Sequence, residues 1–458
     1  YVERRLIRRA VRDGIELGIE RPFLWELVDV VVDIMRCQYP ELEDRVEIAQ
    51  KILLNEEKKF RETLSIGYDK IAQIIDNMKQ TNQRVLDGKE AFELYATYGI
   101  PLDITETLLR EAGLGVDVQG FRRQLSEHQK QAREKTTIAS EIFVTEPIDY
   151  FKGKIPPTKF VGYTTLECRT KVVGILKDGK PEQSVLADHT IQIILESTPF
   201  YGEAGGQVGD TGELRFADGT IRVVDTQRHD EFIVHICKPD TPFQINTLDE
   251  CRATVDAERR ADIMRNHTAT HLLHAALRKV LGEHVKQSGS LVEENRLRFD
   301  FTHFQALKPQ EIEEVEKLVN KWILENYPVE TEWVKKEEAD KMGAIALFDE
   351  KYGDIVRVVK INNVSIELCG GTHVKRTGDI GLFKIISQSS VASNVRRIEA
   401  VAGLKAYEKM KELENRILSI AEILKTSPKD IEKRIQNLYQ KIQNLENEIK
   451  KLKAVDIK

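Results

Sequence analysis

The spacing of apolar residues changes along this chain of 458 residues, and that change limits the folds open to it. From residue 1 to about residue 135, apolar residues recur every three or four positions, as at Leu42, Val46 and Leu53. This is the period of a helix that buries one face. The spacing predicts an all-helical region at the start of the chain. A chain of this length is also too long for one hydrophobic core, so we expect several domains.

Between about residues 158 and 255 the period shortens to two, as in Ile191, Ile193 and Leu195. Alternation of this kind, with glycine or proline turns every ten residues or so, predicts a small β-barrel. The longest irregular stretch, Thr198–Gly212, contains five glycines. They either let the backbone approach a ligand or simply make tight turns.

From residue 256 to residue 403 helical and strand patterns mix. The sequence predicts a helix over Asn266–Leu281, a strand with Leu297, Phe299 and Phe301 on one face, and an amphipathic helix with Ile312, Val315, Val319 and Trp322. We expect an α+β domain here.

After Gly403 the pattern is helical again and alternates spacings of four and three. The residues in this pattern are Ile431, Ile435, Leu438, Ile442, Leu445, Ile449 and Leu452. This is typical of a coiled coil. The seam could pair within the chain, with Ala406–Leu424 across the Ser427-Pro428 break, or between two chains as a homo-oligomer.

The expected fold class is therefore multi-domain α+β. We predict a helical domain over 1–150, a β-barrel over 151–255, an α+β domain over 256–403 and a helical coiled-coil segment over 404–458.

Composition narrows the function classes. No apolar run approaches the length that spans a bilayer, and the first residues lack an apolar signal core, so we expect a cytoplasmic protein without a membrane partner. Five scattered cysteines argue against a disulfide framework. The formal net charge of −6 argues against a globally basic nucleic-acid binder. A local basic patch remains, and its members are Arg4, Arg5, Arg8, Arg9 and Arg12.

Two short motifs indicate a metal site. His267 and His271 are four residues apart, so on a helix they share one face, and Asn266 could cap that helix. About a hundred residues later, Cys369 and His373 flank two glycines. Together these four side chains form the nitrogen and sulphur ligand set that zinc prefers.

Other interpretations of these motifs stay open. The histidine pair could be two partly exposed helix residues, and the zinc could be purely structural. His274 is a rival ligand, although its apolar neighbours favour a core histidine with one hydrogen bond. A zinc peptidase does not fit, because Thr268 stands where such enzymes carry a glutamate base.

These motifs, with their flanking residues, resemble the editing domain of the alanyl-tRNA synthetase family. The matching segments are Arg265–His274, Glu367–His373, Thr198–Tyr201, Gly205–Asp210, Gly289–Leu291, Leu297–Phe301 and Arg376–Gly381. The resemblance covers essentially the whole chain. It implies, in order, a helical tRNA-recognition domain, a β-barrel, a zinc-containing editing domain and the start of a helical oligomerisation region.

We find no class II adenylate-forming signature. The resemblance then implies that the ligase domain is missing, that ATP matters only to that missing domain, and that this chain does not ligate alanine.

The resemblance also assigns residues to an editing reaction, the hydrolysis of Ser-tRNA(Ala) and Gly-tRNA(Ala). One zinc ion would be held by His267, His271, Cys369 and His373, with Gln287 joining the first three as catalytic residues. The pocket would include Thr268, Gly205, Gly206 and Gln207. Such editing is needed because one methylene changes binding by only about 1–3 kcal/mol, so an alanine pocket also admits glycine and serine.

The basic patch would contact tRNA(Ala), because guanidinium groups suit phosphate. A solvated helix with acidic neighbours is the competing interpretation. The chain departs from the family at Ala96, where a Tyr-Asp-Thr-Tyr-Gly segment usually has its aspartate, and at Glu3, where the family usually has an apolar residue. As an alternative function, the chain could be a tRNA-docking module with a purely structural zinc.

Overall fold

The computed structural model of this chain describes residues 2–98, 100, 102–137, 146–346, 353–392 and 394–455, and for some residues within its helices it describes the backbone alone. The chain divides into two compact units, Tyr1–Thr145 and Glu146–Lys458. Among the helices described, none is long and apolar enough to cross a membrane.

The first unit is helical, as the apolar spacing predicts. Its elements are α1 (Val2–Glu16), α2 (Leu27–Met35), α3 (Val46–Gln80), β1 (Val85–Leu86), α4 (Gly88–Tyr98), α5 (Leu102–Glu111), β2 (Gly115–Val116) and α6 (Val118–Thr137). The long helix α3 forms the centre of its core, where Phe60, Leu64 and Ile71 pack with Leu94 of α4 and Leu109 of α5. The two short strands pair in parallel and join the segments that precede α4 and α6.

The second unit begins with the predicted small β-barrel. Its elements are α7 (Glu146–Asp149), β3 (Lys159–Phe160), β4 (Glu167–Lys177), β5 (Lys180–Glu182), β6 (Ser184–Ala187), β7 (Ile191–Leu195), β8 (Ser197–Thr198), β9 (Gly212–Arg215), β10 (Thr220–His229), β11 (Phe232–Pro239), β12 (Phe243–Asn246) and β13 (Glu250–Val255).

Six of these strands close the barrel. They follow the order β13-β9-β10-β11-β7-β4, and β13 pairs back onto β4. The alternating residues Ile191, Ile193 and Leu195 point into its interior, where Phe200 and Leu214 join them. Ile194 packs on the opposite face, against Ile148 and Phe151. Burial on both faces explains why β7 is apolar almost throughout.

The mixed region also has the predicted α+β fold. Its elements are α8 (Ala257–Leu281), β14 (Gln287–Val292), β15 (Leu297–Thr302), α9 (Pro309–Leu324), β16 (Val329–Lys335), α10 (Lys336–Lys341), β17 (Ile355–Ile361), β18 (Ser365–Leu368), β19 (Phe383–Ala392) and β20 (Val395–Ala402). The strands form one sheet in the order β14-β15-β20-β19 and another in the order β16-β17-β18. Leu272 of α8 and Val319 of α9 pack with Phe299 and Ile398 in its core.

Helix α8 starts earlier than the sequence pattern predicts. Asp256 caps it, since its carboxylate accepts a hydrogen bond from Arg259 N at 3.0 Å. The prediction that Asn266 is the cap is wrong. Asn266 is buried in the middle of the helix, and its amide donates to the carbonyl of Glu293 at 2.7 Å. The histidine pair therefore lies in the middle of α8, directly after a buried asparagine that bonds to the backbone of Glu293.

The chain continues into α11 (Gly403–Ile423) and α12 (Ile431–Val455), separated by a short 3-10 turn at Pro428–Asp430. The heptad residues of α12 are roughly half exposed, with Ile435 at 49%, Ile442 at 54% and Ile449 at 51%. Within the described part of the chain, then, the seam is not buried. The mixed fold with a barrel is confirmed, while the domain boundaries at 150, 255 and 403 stay predictions.

Candidate metal centre

Two pairs of side chains, about a hundred residues apart in the sequence, meet in the second unit. His267 and His271 lie on one face of α8, and Cys369 and His373 lie in the loop that follows β18. Their ligand atoms are all within 4.8 Å of one another. Cys369 Sγ is 3.4 Å from Nε2 of His267 and 3.4 Å from Nε2 of His373.

This geometry suits a zinc ion. Zinc bonds of about 2.0 Å to nitrogen and 2.3 Å to sulphur, at a tetrahedral angle, separate the two ligand atoms by about 3.5 Å. The observed sulphur–nitrogen distances of 3.4 Å agree with that value. The three imidazoles and one thiol therefore fit the ion that the resemblance implies.

The first imidazole is oriented by a glutamine from the barrel. His267 Nδ1 donates to Oε1 of Gln207 at 2.7 Å, and the same oxygen accepts from the backbone N–H of Thr372 at 2.9 Å. Gln207 Nε2 donates to Thr372 Oγ1 at 3.0 Å, which fixes the direction of the amide. Because Nδ1 carries the proton, Nε2 of His267 is left as the ligand atom.

His373 is oriented in the same way by a hydroxyl group. Thr268 Oγ1 donates to the carbonyl of Met264 at 3.0 Å, so towards His373 Nδ1, at 3.1 Å, it acts as the acceptor. It also accepts from Val374 N at 3.2 Å. Because the proton is on Nδ1, Nε2 of His373 is left as the ligand atom. It lies 3.4 Å from Cys369 Sγ.

Glu367 lies beside the remaining ligand, His271. Its Oε2 lies 2.9 Å from Nδ1 of His271, and its Oε1 accepts from Nδ1 of His274 at 3.1 Å and from Ser365 Oγ at 2.9 Å. His274 is 1% exposed and makes this one hydrogen bond, as expected for a core histidine. Burial disfavours the Glu367 carboxylate, but the two histidines lower its pKa below the usual range.

Electrostatics favour the forms of Cys369 and His373 that bind metal. Burial would raise the pKa of the Cys369 thiol, yet His267 and His373 lower it well below its usual range. Burial lowers the pKa of His373 to about 3, and the nearby His267 acts in the same direction. A thiolate beside neutral imidazole is the state that ligates zinc.

The loop that carries Cys369 is held from outside by two side chains. Tyr163 donates its hydroxyl to the carbonyl of Gly370 at 2.6 Å. Arg357 donates to the carbonyls of Cys369 and Gly371 at 2.8 and 2.9 Å and stacks on the Tyr163 ring. The position of Gly371 requires glycine, because a Cβ there would lie 2.0 Å from Cε1 of His267.

The glycine-rich loop between β8 and β9 is fixed to α8 by a buried ion pair. Arg260 and Asp210 are each 1% exposed, and Arg260 Nε donates to Asp210 Oδ1 at 2.9 Å. Arg260 also donates to the carbonyls of Gly162 and Pro199 at 2.9 and 2.8 Å. The barrel and the helix with the two histidines are thus held in one arrangement.

A pocket of about 140 Å³ opens beside three of the four ligands, His267, His271 and Cys369. That volume is several times what one water molecule needs. Gly205, Thr270, Gln287 and Ser290 form part of its wall together with the ligands of α8. Gln287 and Ser290 share a hydrogen bond of 3.2 Å on β14. The pocket thus combines a metal centre with polar side chains at the scale of a small substrate group.

Three residues predicted for the pocket are not among those that line this cavity. Gln207 and Thr268 are fully buried behind the histidines that they orient. Gly206 packs against Ser290, where a Cβ would come within 2.4 Å of Ser290 Oγ. Glu367 is a partner of the site that the two sequence motifs do not include. Glu367 lies in β18 and Cys369 is the first residue after that strand, so its nearness in sequence to a predicted ligand is the signal that could have indicated it.

The predicted tRNA contacts lie in the first unit. The side chains of Arg4 and Arg5 lie outside what the structure describes. Arg8 stacks over Phe60 at 5.2 Å, Arg9 is exposed, and Arg12 pairs with Asp13 at 2.7 Å. Ala96, at the departure from the family pattern, is exposed on α4.

Two family models match the chain. The model for "tRNA synthetases class II (A)" matches residues 1–259, and the model for "Threonyl and Alanyl tRNA synthetase second additional domain" matches residues 356–399. The second match contains Cys369 and His373.

Several curated proteins are similar over nearly the whole chain. The alanine–tRNA ligase of Acetivibrio thermocellus is 45% identical over 455 residues, which is 99% of this chain and 52% of that protein. The enzymes of Geobacillus thermodenitrificans and Thermotoga maritima are 44% and 43% identical over 460 and 459 residues, covering 99% and 98% of this chain and 52% and 51% of those proteins. The chain thus spans about half the length of these relatives, and it belongs to the class II (A) tRNA synthetases and, among them, to the alanyl-tRNA synthetase family.

One prediction from the sequence needs correction here. We expected the class II ligase domain to be missing, but the class II (A) family model matches residues 1–259. In this structure those residues form the helical unit, the barrel and the first turn of α8. The family likeness is spread over this whole stretch rather than concentrated in one short adenylate-forming motif. The expectation that ATP concerns only a missing domain loses its basis with it.

Proposed function

We propose that this chain hydrolyses the ester of tRNA(Ala) that has been wrongly charged with serine or glycine. The observation that carries the proposal is the juxtaposition of the four ligand side chains with a small polar pocket. Family membership supports it, since the second matched model is an additional domain of threonyl and alanyl synthetases.

The reaction adds water across one bond. The oxygen of water bonds to the ester carbonyl carbon, the bond from that carbon to the ribose oxygen breaks, and the ribose oxygen leaves with a proton. Gln287 and Ser290 are the polar groups on β14 that can orient the ester or the water. A zinc ion, when bound by the four side chains, would supply a positive charge at the pocket wall beside the substrate.

A second candidate function rests on the ligand count. All four candidate ligands are protein side chains, and a zinc site with four protein ligands is usually closed and structural. In that case the chain would dock and position tRNA, with Arg8, Arg9 and Arg12 among the phosphate contacts and Arg4 and Arg5 beside them. Substrate positioning by the pocket wall reconciles the closed ligand set with hydrolysis, and we prefer it for that reason.

The whole protein has a wider proposed activity. Its relatives are named alanine–tRNA ligases. By extension, the complete protein would join alanine to tRNA(Ala) with ATP, and the editing reaction would remove the products of its own errors.

The decisive assay measures deacylation of Ser-tRNA(Ala), Gly-tRNA(Ala) and Ala-tRNA(Ala), with zinc content determined on the same samples. The wild-type protein should release serine and glycine and spare alanine, and His271→Ala should lose both zinc and hydrolysis. His189→Ala is the matched control, because His189 is an exposed barrel histidine paired with Asp188. A zinc-loaded wild-type protein that releases serine no faster than the background would refute the proposal and favour the docking function.

We also propose that α12 mediates a homo-oligomer. Its heptad residues Ile435, Ile442 and Ile449 are about half exposed, and the period suits a coiled coil with a second copy. Sedimentation should show an oligomer for the wild type and a monomer for Ile442→Asp. Wild-type protein that sediments as a monomer at all accessible concentrations would refute this assignment.

A further inference from the structure

Arg228 stands at the wall of the pocket and takes no part in the metal centre. It is the next-to-last residue of β10, it is exposed, and it lines the same pocket as His267 and Gln287. Of the described residues that line this pocket, it is the one arginine, and the lining contains no lysine.

The backbone under Arg228 is fixed. Gly202 packs against it so closely that a Cβ at Gly202 would lie 3.1 Å from Arg228 Cβ. The preceding residue, Gln227, bridges to Glu203, and Glu203 N donates to the carbonyl of Thr226 at 2.9 Å. The side chain therefore rises from a rigid strand end that is attached to the glycine-rich loop.

The guanidinium of Arg228 has no carboxylate partner among the described residues. Its Nε donates to the backbone carbonyl of Asp230 at 3.4 Å. Other exposed arginines of the barrel are paired with acids: Arg222 with Asp240 and Arg252 with Glu167, both at 2.6 Å. A cation at a pocket wall without a protein counter-charge is available to an anion of the substrate.

We propose that Arg228 binds the phosphate of the substrate's terminal nucleotide. This inference rests on the proposed function, because it takes the substrate to be an aminoacyl ester at the 3′ end of an RNA. In such a molecule the ester and the nearest phosphate are attached to the same ribose. A guanidinium presents a planar pair of N–H donors that matches two phosphate oxygens. Arg228 would thus position the ester relative to Gln287 and the metal ligands without touching the reacting bond.

Two minimal substrates test the proposal. One is the seryl ester of adenosine, and the other is the seryl ester of adenosine 5′-monophosphate. In the wild type the phosphate should lower KM by about tenfold, the effect of one charge-assisted contact, with little change in kcat. In Arg228→Ala that advantage should disappear, and Arg228→Lys should keep part of it because the charge remains without the planar pair. Arg222→Ala, an exposed arginine on the same strand, should retain the full wild-type advantage.

A binding measurement separates this inference from the proposed function. The probes are the amide analogues of the two esters, which resist hydrolysis, and calorimetry compares their affinity for the wild type and Arg228→Ala. A phosphate-dependent gain of about tenfold in the wild type alone supports the assignment even if no ester is hydrolysed. An equal effect of Arg228→Ala on both probes, or none on either, overturns the assignment. Failure of the wild type to hydrolyse Ser-tRNA(Ala) would count against the proposed function alone.

Discussion

Replacing Gln207 by leucine removes the amide that orients the first metal ligand while nearly keeping its volume. In the wild type, Gln207 Oε1 accepts from His267 Nδ1 at 2.7 Å and from Thr372 N at 2.9 Å. Gln207 is fully buried, so water cannot replace the lost acceptor. Two buried N–H donors are left without partners.

The magnitude follows from those two donors. Each buried, unpaired donor costs about 1–3 kcal/mol, so Gln207→Leu should lower the free energy of unfolding of the second unit by about 2–6 kcal/mol. His267 also loses the acceptor that selects its ligand nitrogen. Loss of such a partner usually weakens metal binding by about 10- to 100-fold.

Two measurements check this prediction. Urea unfolding is followed by tryptophan emission in a Trp25→Phe background, in which the buried Trp322 of the α8–α9 core is a reporter within the second unit. Zinc affinity is measured by competition with a chelator. Gln244→Leu is the control, since Gln244 is exposed and its amide donates to Ser184 Oγ on the surface of the barrel. The reasoning fails if Gln207→Leu unfolds and binds zinc as this control does.

Three further changes have expected outcomes. Gly371→Ala should lose bound zinc, because its Cβ would lie 2.0 Å from His267 Cε1, whereas Gly370→Ala meets nothing within 4 Å and should keep it, as metal analysis would show. Asp210→Ala leaves a buried arginine unpaired and should cost about 3–5 kcal/mol in urea unfolding. Asp240→Ala, which breaks an exposed pair, should cost less than about 1 kcal/mol. Burial lowers the pKa of His235 to about 4, so below about pH 6.5 the unfolded chain binds more protons, and stability should fall by about 3 kcal/mol between pH 6.5 and 4. His235→Gln should flatten that slope, and an unchanged slope would contradict the assignment.

The periodicity of the sequence was enough to predict the architecture. Alternation at Ile191 and Ile193 indicated the barrel, and the three-to-four spacing indicated the helices, because each pattern reports burial within a single element. The start of α8 was missed, because Asp256 and Asn266 are both residues that cap helices. Only tertiary contacts show that Asn266 is buried in mid-helix and bonded to Glu293.

The sequence predicted those parts of the candidate site whose residues are close together in the chain. Four-residue spacings brought His267 close to His271 and Cys369 close to His373, and zinc chemistry joined the two halves. The partner of His267 lies 60 residues earlier, in a loop of the barrel, and no spacing rule connects them. The resemblance assigned Gln207 to the pocket, whereas in the fold its amide lies behind His267.

The choice of acceptors behind the three imidazoles has a consequence for charge. Glu367 supplies one carboxylate behind His271, while Gln207 and Thr268 are neutral. With a divalent ion, one thiolate and one carboxylate, the centre would carry no net charge. A second carboxylate in place of Gln207 would still accept from His267, but it would leave an uncompensated negative charge behind the pocket. That charge would oppose a phosphate held at Arg228, so a neutral amide at position 207 fits a substrate that is itself an anion.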